Sequence, residues 1–205
     1  MTSVVIVDYG AGNLRSVARA VAHAGFEPCV TADPEQVDRA ERLIVPGVGA
    51  AADTMRNLRE HRMVEPIREY IASGRPFFGV CMGQQALLSI SEEGGEHECL
   101  GIIPGRVKKL EAADGRKVPH MGWNTVRQKT PHPIFEGIPD GSYFYFVHSY
   151  YPEPEDPDVV IGETEYGVTF GSVLAQDNVV ATQFHPEKSG EMGLRMYANF
   201  LSSKF

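Results

Sequence analysis

The chain has 205 residues, 42% hydrophobic and 22% charged, with a formal charge of −8. That length suits one α/β domain able to bury about 70% of its unfolded surface, and the composition is far from that of a fibrous or low-complexity protein. The acidic balance argues against nucleic acid as the main ligand, which needs a basic surface, and no apolar run reaches the length of a membrane span.

Cys29, Cys81 and Cys99 form an odd set with neither a disulfide framework nor a zinc spacing, which predicts a reducing cytoplasm and no metal centre. The chain begins directly on a strand with no basic leader, so no signal peptide is expected.

Ser3-Val4-Val5-Ile6-Val7 is a continuous β-branched run, the mark of a strand covered on both faces. It enters Asp8-Tyr9-Gly10-Ala11-Gly12-Asn13, after which Leu14, Val17, Ala18, Val21 and Ala22 form a helical stripe that stops at Gly25. The loop lacks both the G-x-G-x-x-G fingerprint and a Walker lysine, so dinucleotide binding is not supported and no cofactor is expected. Residues 27–31 suit a second strand, and Asp33-Pro34-Glu35 opens a helix. Leu43-Ile44-Val45 is a short buried strand running into Pro46-Gly47-Val48-Gly49, with helical patterns over 50–58 and 64–71. Residues 76–80 are the next strand, and 82–90 read as a helix. This alternation predicts a central, mostly parallel sheet flanked by helices, with sites at the carboxyl ends of its strands.

The second half changes texture. Residues 91–98 read as a polar loop, and short alternating strands are expected over 106–110, 143–147, 159–163, 168–174 and 179–184. Turns separate them, among them Tyr151-Pro152-Glu153-Pro154. These strands read as antiparallel hairpins extending one edge of the sheet. A last helix covers 191–202, burying Leu194, Met196, Tyr197, Phe200 and Leu201. No repeat or Gly/Ser-rich linker divides the chain, so residues 1–205 are expected to form a single domain.

Two stretches carry chemistry. Gly79-Val80-Cys81-Met82-Gly83 matches the nucleophile-elbow pattern G-x-C-x-G, with sulfur in place of a hydroxyl. The flanking glycines allow a strand to turn sharply into a helix whose N-terminus favours thiolate over thiol. Taken alone, the pattern also suits a core cysteine. The second stretch, Phe184-His185-Pro186-Glu187, ends a strand on a histidine that the proline keeps extended. Residues two apart in an extended chain project to one side, so Glu187 can reach the imidazole and steady it. Cys81, His185 and Glu187 then read as nucleophile, base and orienter for acyl transfer through a thioester. The Met82 amide is one oxyanion donor, and the Gly47-Val48-Gly49 loop can supply a second, from Val48 or Gly49.

G-V-C-M-G-Q-Q at 79–85, P-G-V-G at 46–49 and Q-F-H-P-E-K-S at 183–189 together resemble the class I, triad-type glutamine amidotransferases. D-Y-G-A-G-N-L at 8–14, P-H-M-G-W-N at 119–124 and Y-F-V-H-S-Y-Y at 145–151 make it most similar to the glutaminase subunits of imidazole glycerol phosphate synthase. The resemblance extends from Val7 to Ser189. It implies hydrolysis of L-glutamine to glutamate and ammonia, with Gln85 and the His148-Ser149-Tyr150 backbone holding substrate. It also implies a heterodimer with a (β/α)8 cyclase subunit that receives the ammonia in histidine biosynthesis. Asn13, Met121, Trp123 and Lys188 match positions near that junction, and residues 46–49 would act as a hinge completing the oxyanion site. Three alternatives stand beside this one. They are a glutaminase serving anthranilate or pyridoxal phosphate synthesis, a non-catalytic redox or chaperone-like relative, and a γ-glutamyl peptidase.

Overall fold

The computed structural model describes residues 3–113 and 116–203. Its first half is β1 (Val4–Val7), α1 (Leu14–His23), β2 (Pro28–Thr31), α2 (Pro34–Arg39), β3 (Arg42–Gly47), α3 (Ala51–Glu60), α4 (Val64–Ala72), β4 (Phe77–Cys81) and α5 (Met82–Gln85). The second half adds β5 (Ile90–Ser91), β6 (His97–Glu98), β7 (Gly105–Lys109), β8 (His120–Gln128), β9 (Ser142–His148), β10 (Tyr150–Pro154), β11 (Val160–Glu165), β12 (Thr169–Gln176), β13 (Val179–Thr182) and α6 (Gly190–Ser202).

The apolar strand runs of the first half are buried on both faces because helices cover each side. Val4, Ile6, Ile44, Phe78 and Val80 pack with Val17 and Val21 of α1 and with Met196, Tyr197 and Phe200 of α6. Val5, Val7, Leu43, Val45 and Phe77 join Val37 of α2, Leu58 of α3 and Ile67 of α4 on the other side. Each fully buried Phe or Leu there contributes about 1.5–3 kcal/mol. Local signals set the helix starts: Asp33 accepts from Glu35 N at 3.0 Å, with proline in the first turn.

The large sheet has the order β2-β1-β3-β4-β13-β12-β11-β8-β9. It is parallel from β2 to β13 and antiparallel beyond. β13 is therefore the seam, parallel to β4 and antiparallel to β12. In register, Gly47 stands beside Cys81 and Thr182 beside Val80. The segments that follow β3 and β13 consequently flank the end of β4.

Four expectations change. The helix over 82–90 is a single turn ending at Gln85, because the carbonyls beyond it bind another segment. Ala86 O accepts from Leu100 N, Leu87 O from Ile102 and Ile103 N, and Leu88 O from Gly101 N. Residues 151–154 are not a turn but part of β10, which pairs with β7. As the edge of a second sheet, ordered β10-β7-β5-β6, β10 tolerates Pro152 and Pro154 without losing ladder bonds. The second-half strands therefore build this small sheet as well as extending the large one. β8 went unforeseen, and residues 91–98, read as a loop, contribute to the β5–β6 pairing.

Candidate active site

Cys81 ends β4 with φ +54, an uncommon value for a residue with a Cβ, and is 4% exposed. Such a conformation costs on the order of 1–3 kcal/mol and persists because β3 and β13 clamp the strand on both sides. The two flanking glycines are needed for contact. A Cβ on Gly83 would stand 1.9 Å from the Val45 carbonyl oxygen, and one on Gly79 2.7 Å from the Gly83 carbonyl oxygen. One turn of helix carries little macrodipole, so α5 contributes less to the sulfur than the sequence suggested. The side chains that approach the sulfur come from the segment after β13.

His185 is extended, with φ −103 and ψ 95. Its N–H donates to Tyr145 O at 3.0 Å, while Ser189 Oγ donates to His185 O at 2.6 Å and accepts from Tyr145 N at 3.0 Å. These bonds pin the segment to β9. The chain then turns through a 3-10 turn at Pro186–Lys188 instead of staying extended, and this turn brings Glu187 back. Glu187 Oε1 lies 2.8 Å from His185 Nδ1, with the two side chains 1% and 2% exposed. Nδ1–H donating to the carboxylate leaves Nε2 for the sulfur. Among the described residues Nε2 has no hydrogen bond of strict geometry, as is common before substrate tightens a site. Burial opposes charge on His185, but the Cys81 sulfur and the Glu187 carboxylate outweigh it and raise the imidazole to about 10. Burial, reinforced by Glu187, pushes the Tyr197 hydroxyl well above its ordinary value, so it stays neutral.

A cavity of about 300 Å³ opens on the sulfur. It gathers Cys81, Met82, Val48, Gly49 and Gln85 with His148, Ser149, Tyr150 and Lys188. Gln85 is held by Nε2 donating to Tyr150 O at 2.8 Å and to Gln183 Oε1 at 2.9 Å. Its own Oε1 is buried without a partner among the described residues, leaving an acceptor in the cavity wall. Gly49, at φ +103, gives the 46–49 loop a backbone that side chains rarely adopt. Five expected residues lie outside this lining: His185 and Glu187, buried behind the sulfur, and Asn13, Met121 and Trp123. Asn13 caps α1, accepting from Ser16 N at 3.4 Å, while Met121 and Trp123 are 62% and 56% exposed on β8. No group of three His, Cys, Asp or Glu side chains among the described residues is arranged to hold a metal ion.

The family described as "Glutamine amidotransferase class-I" matches residues 5–203. The chain belongs to that family. Its relatives include imidazole glycerol phosphate synthase subunit HisH of Dehalococcoides mccartyi (strain CBDB1), 50% identical over 197 residues and covering 96% of this chain and 95% of that protein. HisH of Geobacter sulfurreducens is 49% identical over 205 residues, 98% of each. Among solved structures, one described as a glutamine amidotransferase has a TM-score of 0.75 at 24% identity, covering 96% of both chains. PurLQS from Thermotoga maritima gives 0.73 at 18%, covering 98% of this chain and 97% of that one. Both show the class I amidotransferase architecture of a large mixed sheet flanked by helices.

In this class I amidotransferase, two site residues escaped the sequence reading. Glu93 lines the cavity and accepts from Ala51 N at 2.7 Å. It sits among Glu92, Glu96 and Glu98 in a stretch read as an ordinary polar loop, with no local signal to single it out. Gln183 lies within a stretch used for the resemblance, yet its contact with Cys81 Sγ at 3.7 Å became visible only in three dimensions.

Proposed function

We propose that this chain is the glutamine-hydrolysing subunit of an imidazole glycerol phosphate synthase and that all 205 residues act as one catalytic unit. The observation that carries the reading is the meeting of a strained strand-end cysteine, open to a cavity, with a buried histidine–carboxylate pair 2.8 Å apart. Cys81 sulfur attacks the side-chain amide carbon of L-glutamine, and the new oxyanion takes N–H bonds from Met82 and from Val48 or Gly49. The C–N bond breaks as the His185 imidazolium gives its proton to the leaving ammonia. His185, now neutral, takes a proton from water, whose oxygen attacks the thioester, and the C–S bond breaks to release glutamate. Glu187 holds the imidazole throughout. Gln85 Oε1 faces the carboxamide, while the Ser149–Tyr150 backbone and Glu93 suit the α-substituents, the carboxylate matching an ammonium. The 2.8 Å contact counts against the redox-sensor alternative, in which the histidine lacks its carboxylate.

The partner is a barrel cyclase in a heterodimer that receives the ammonia. Met121, Trp123 and Tyr143, 56–62% exposed, give β8 and β9 an apolar outer face suited to it. Asn13 and Lys188 belong to the same junction in this reading. Labelling with an electrophilic glutamine analogue, followed by peptide mapping, tests the site. The adduct is expected on Cys81 and to form faster with cyclase and its ribonucleotide present. Labelling of Cys29 or Cys99 instead would overturn the assignment, and stimulation by an anthranilate partner in place of the cyclase would redirect the pathway.

A further inference from the structure

Tyr150 O is the fixed point of a hydrogen-bond chain whose direction can be read without seeing a proton. A carbonyl only accepts, so His148 Nδ1, 2.8 Å away, carries the hydrogen. Neutral His148 therefore has a bare Nε2, and His120 Nδ1 at 2.9 Å must donate to it. That leaves His120 Nε2 bare as well, facing the Asn124 amide nitrogen at 3.3 Å. Asn124 cannot reverse, because the same nitrogen donates to Glu165 O at 2.9 Å and its oxygen accepts from Thr125 N at 2.8 Å.

On the other side of Tyr150 O the chain continues. Gln85 uses one amide hydrogen on that carbonyl and the other on Gln183 Oε1. The oxygen of Gln183 being so engaged, its nitrogen faces Cys81 Sγ at 3.7 Å. Flipping Gln183 would set two NH₂ groups against each other and an oxygen against the sulfur. With Gln183 0% and Gln85 2% exposed, solvent would not relieve either clash.

We propose that Gln183 is a fourth catalytic residue, donating its amide N–H to the Cys81 sulfur in an orientation imposed by Gln85 and Tyr150 O. His148, and His120 behind it, are positioning residues that hold the Tyr150 carbonyl in place and act on the sulfur only through it. The proposal rests on the glutaminase reading of Cys81 and deepens it. During acylation the sulfur electron pair forms the C–S bond as the C–N bond breaks. During deacylation water oxygen forms the new bond to carbon and the C–S pair returns to sulfur. An N–H already aimed at the sulfur stabilises negative charge there whenever the sulfur carries it, above all as it leaves, and donation to a charged acceptor is among the stronger hydrogen bonds.

The test is iodoacetamide alkylation of Cys81 in the full chain, quantified by peptide mapping from pH 6 to 10, with circular dichroism as the check on folding. Gln183→Met is expected to slow alkylation at pH 7 by about tenfold, with the rate regained as pH rises. Gln183→Glu keeps the shape and the acceptor for Gln85 but turns a carboxylate oxygen on the sulfur in place of the N–H, so it slows alkylation at pH 7 at least as much as Gln183→Met, even if Gln183→Met does not fold. His120→Phe retains the ring stacking and is expected to slow the reaction a few-fold, whereas His120→Gln, with both donor and acceptor, restores it. Folded Gln183 variants that follow the wild-type profile would overturn this inference and leave the glutaminase reading standing. A wild-type Cys81 no more reactive than Cys99 across the range would overturn both.

Discussion

His120→Phe removes a titratable group from a buried, stacked position and should make stability less sensitive to acid. His120 is 3% exposed, stacked between Phe146 at 4.8 Å and Tyr166 at 3.9 Å, and edge-on to Phe170. Besides these it faces His148 and Asn124, and His185 adds its influence to His148. Burial lowers His120 to about 4. Burial also lowers His148 to about 3, against the pull of the Tyr150 carbonyl and with help from His120 and His185. In the unfolded chain a histidine titrates near 6.5. Because the folded values are depressed, this contribution to stability is complete above 6.5 and is lost as pH falls towards 4. Between those limits the unfolded chain binds protons that the folded one refuses, so stability falls by about 1.4 kcal/mol per pH unit and per group. At pH 4.5 His120 accordingly costs the wild type about 2.5 kcal/mol. At pH 7.5 the substitution instead strands His148 Nε2 without its donor, which costs about 1–3 kcal/mol. Urea unfolding followed by circular dichroism should therefore show His120→Phe destabilised at pH 7.5 and near wild type at pH 4.5, with equal m values. An equal stability difference at both pH values would refute the reasoning.

Three further outcomes follow from the elbow and the histidine–carboxylate pair. Gly83→Ala, whose Cβ meets the Val45 carbonyl at 1.9 Å, should cost about 3 kcal/mol or more, and a melting temperature near wild type would contradict the packing described. Cys81→Gly should be more stable than Cys81→Ala by about 1 kcal/mol in urea, because glycine relieves φ +54; the opposite order would show that the corner is not strained. Glu187→Gln should lower glutaminase turnover at least about 100-fold with little change in fold. It should also weaken stability more at pH 7 than at pH 10.5. The raised His185 stabilises fully below 6.5 and loses that contribution as pH climbs through about 10, so a pH-independent penalty would count against the charged pair.

The first half of the molecule was legible because each of its signals is local. Val4–Val7, Leu43–Val45 and Phe77–Val80 are apolar on both faces, and only a sheet with helices on each side buries such runs. The glycines around Cys81 and the proline after His185 restrict the backbone where they stand, so an elbow and an extended histidine could be foreseen. The second half resists the same reading because its alternation is inverted or interrupted. β8 turns Met121 and Trp123 outward and buries His120, so its pattern reads as the reverse of a surface strand. β10 carries two prolines that only an edge position allows.

What composition and spacing determined, then, was which residues could react. What the tertiary structure decided was how they are held. α5 stops at Gln85 because residues 100–103 claim the carbonyls a longer helix would use. Glu93 reaches the cavity from a loop like any other acidic loop, and Gln183 points a nitrogen at the sulfur because Gln85 and the Tyr150 carbonyl, distant in the chain, leave it no other orientation. A local pattern limits the dihedral angles of its own residues, whereas the direction of a buried hydrogen bond depends on every partner that closes around it.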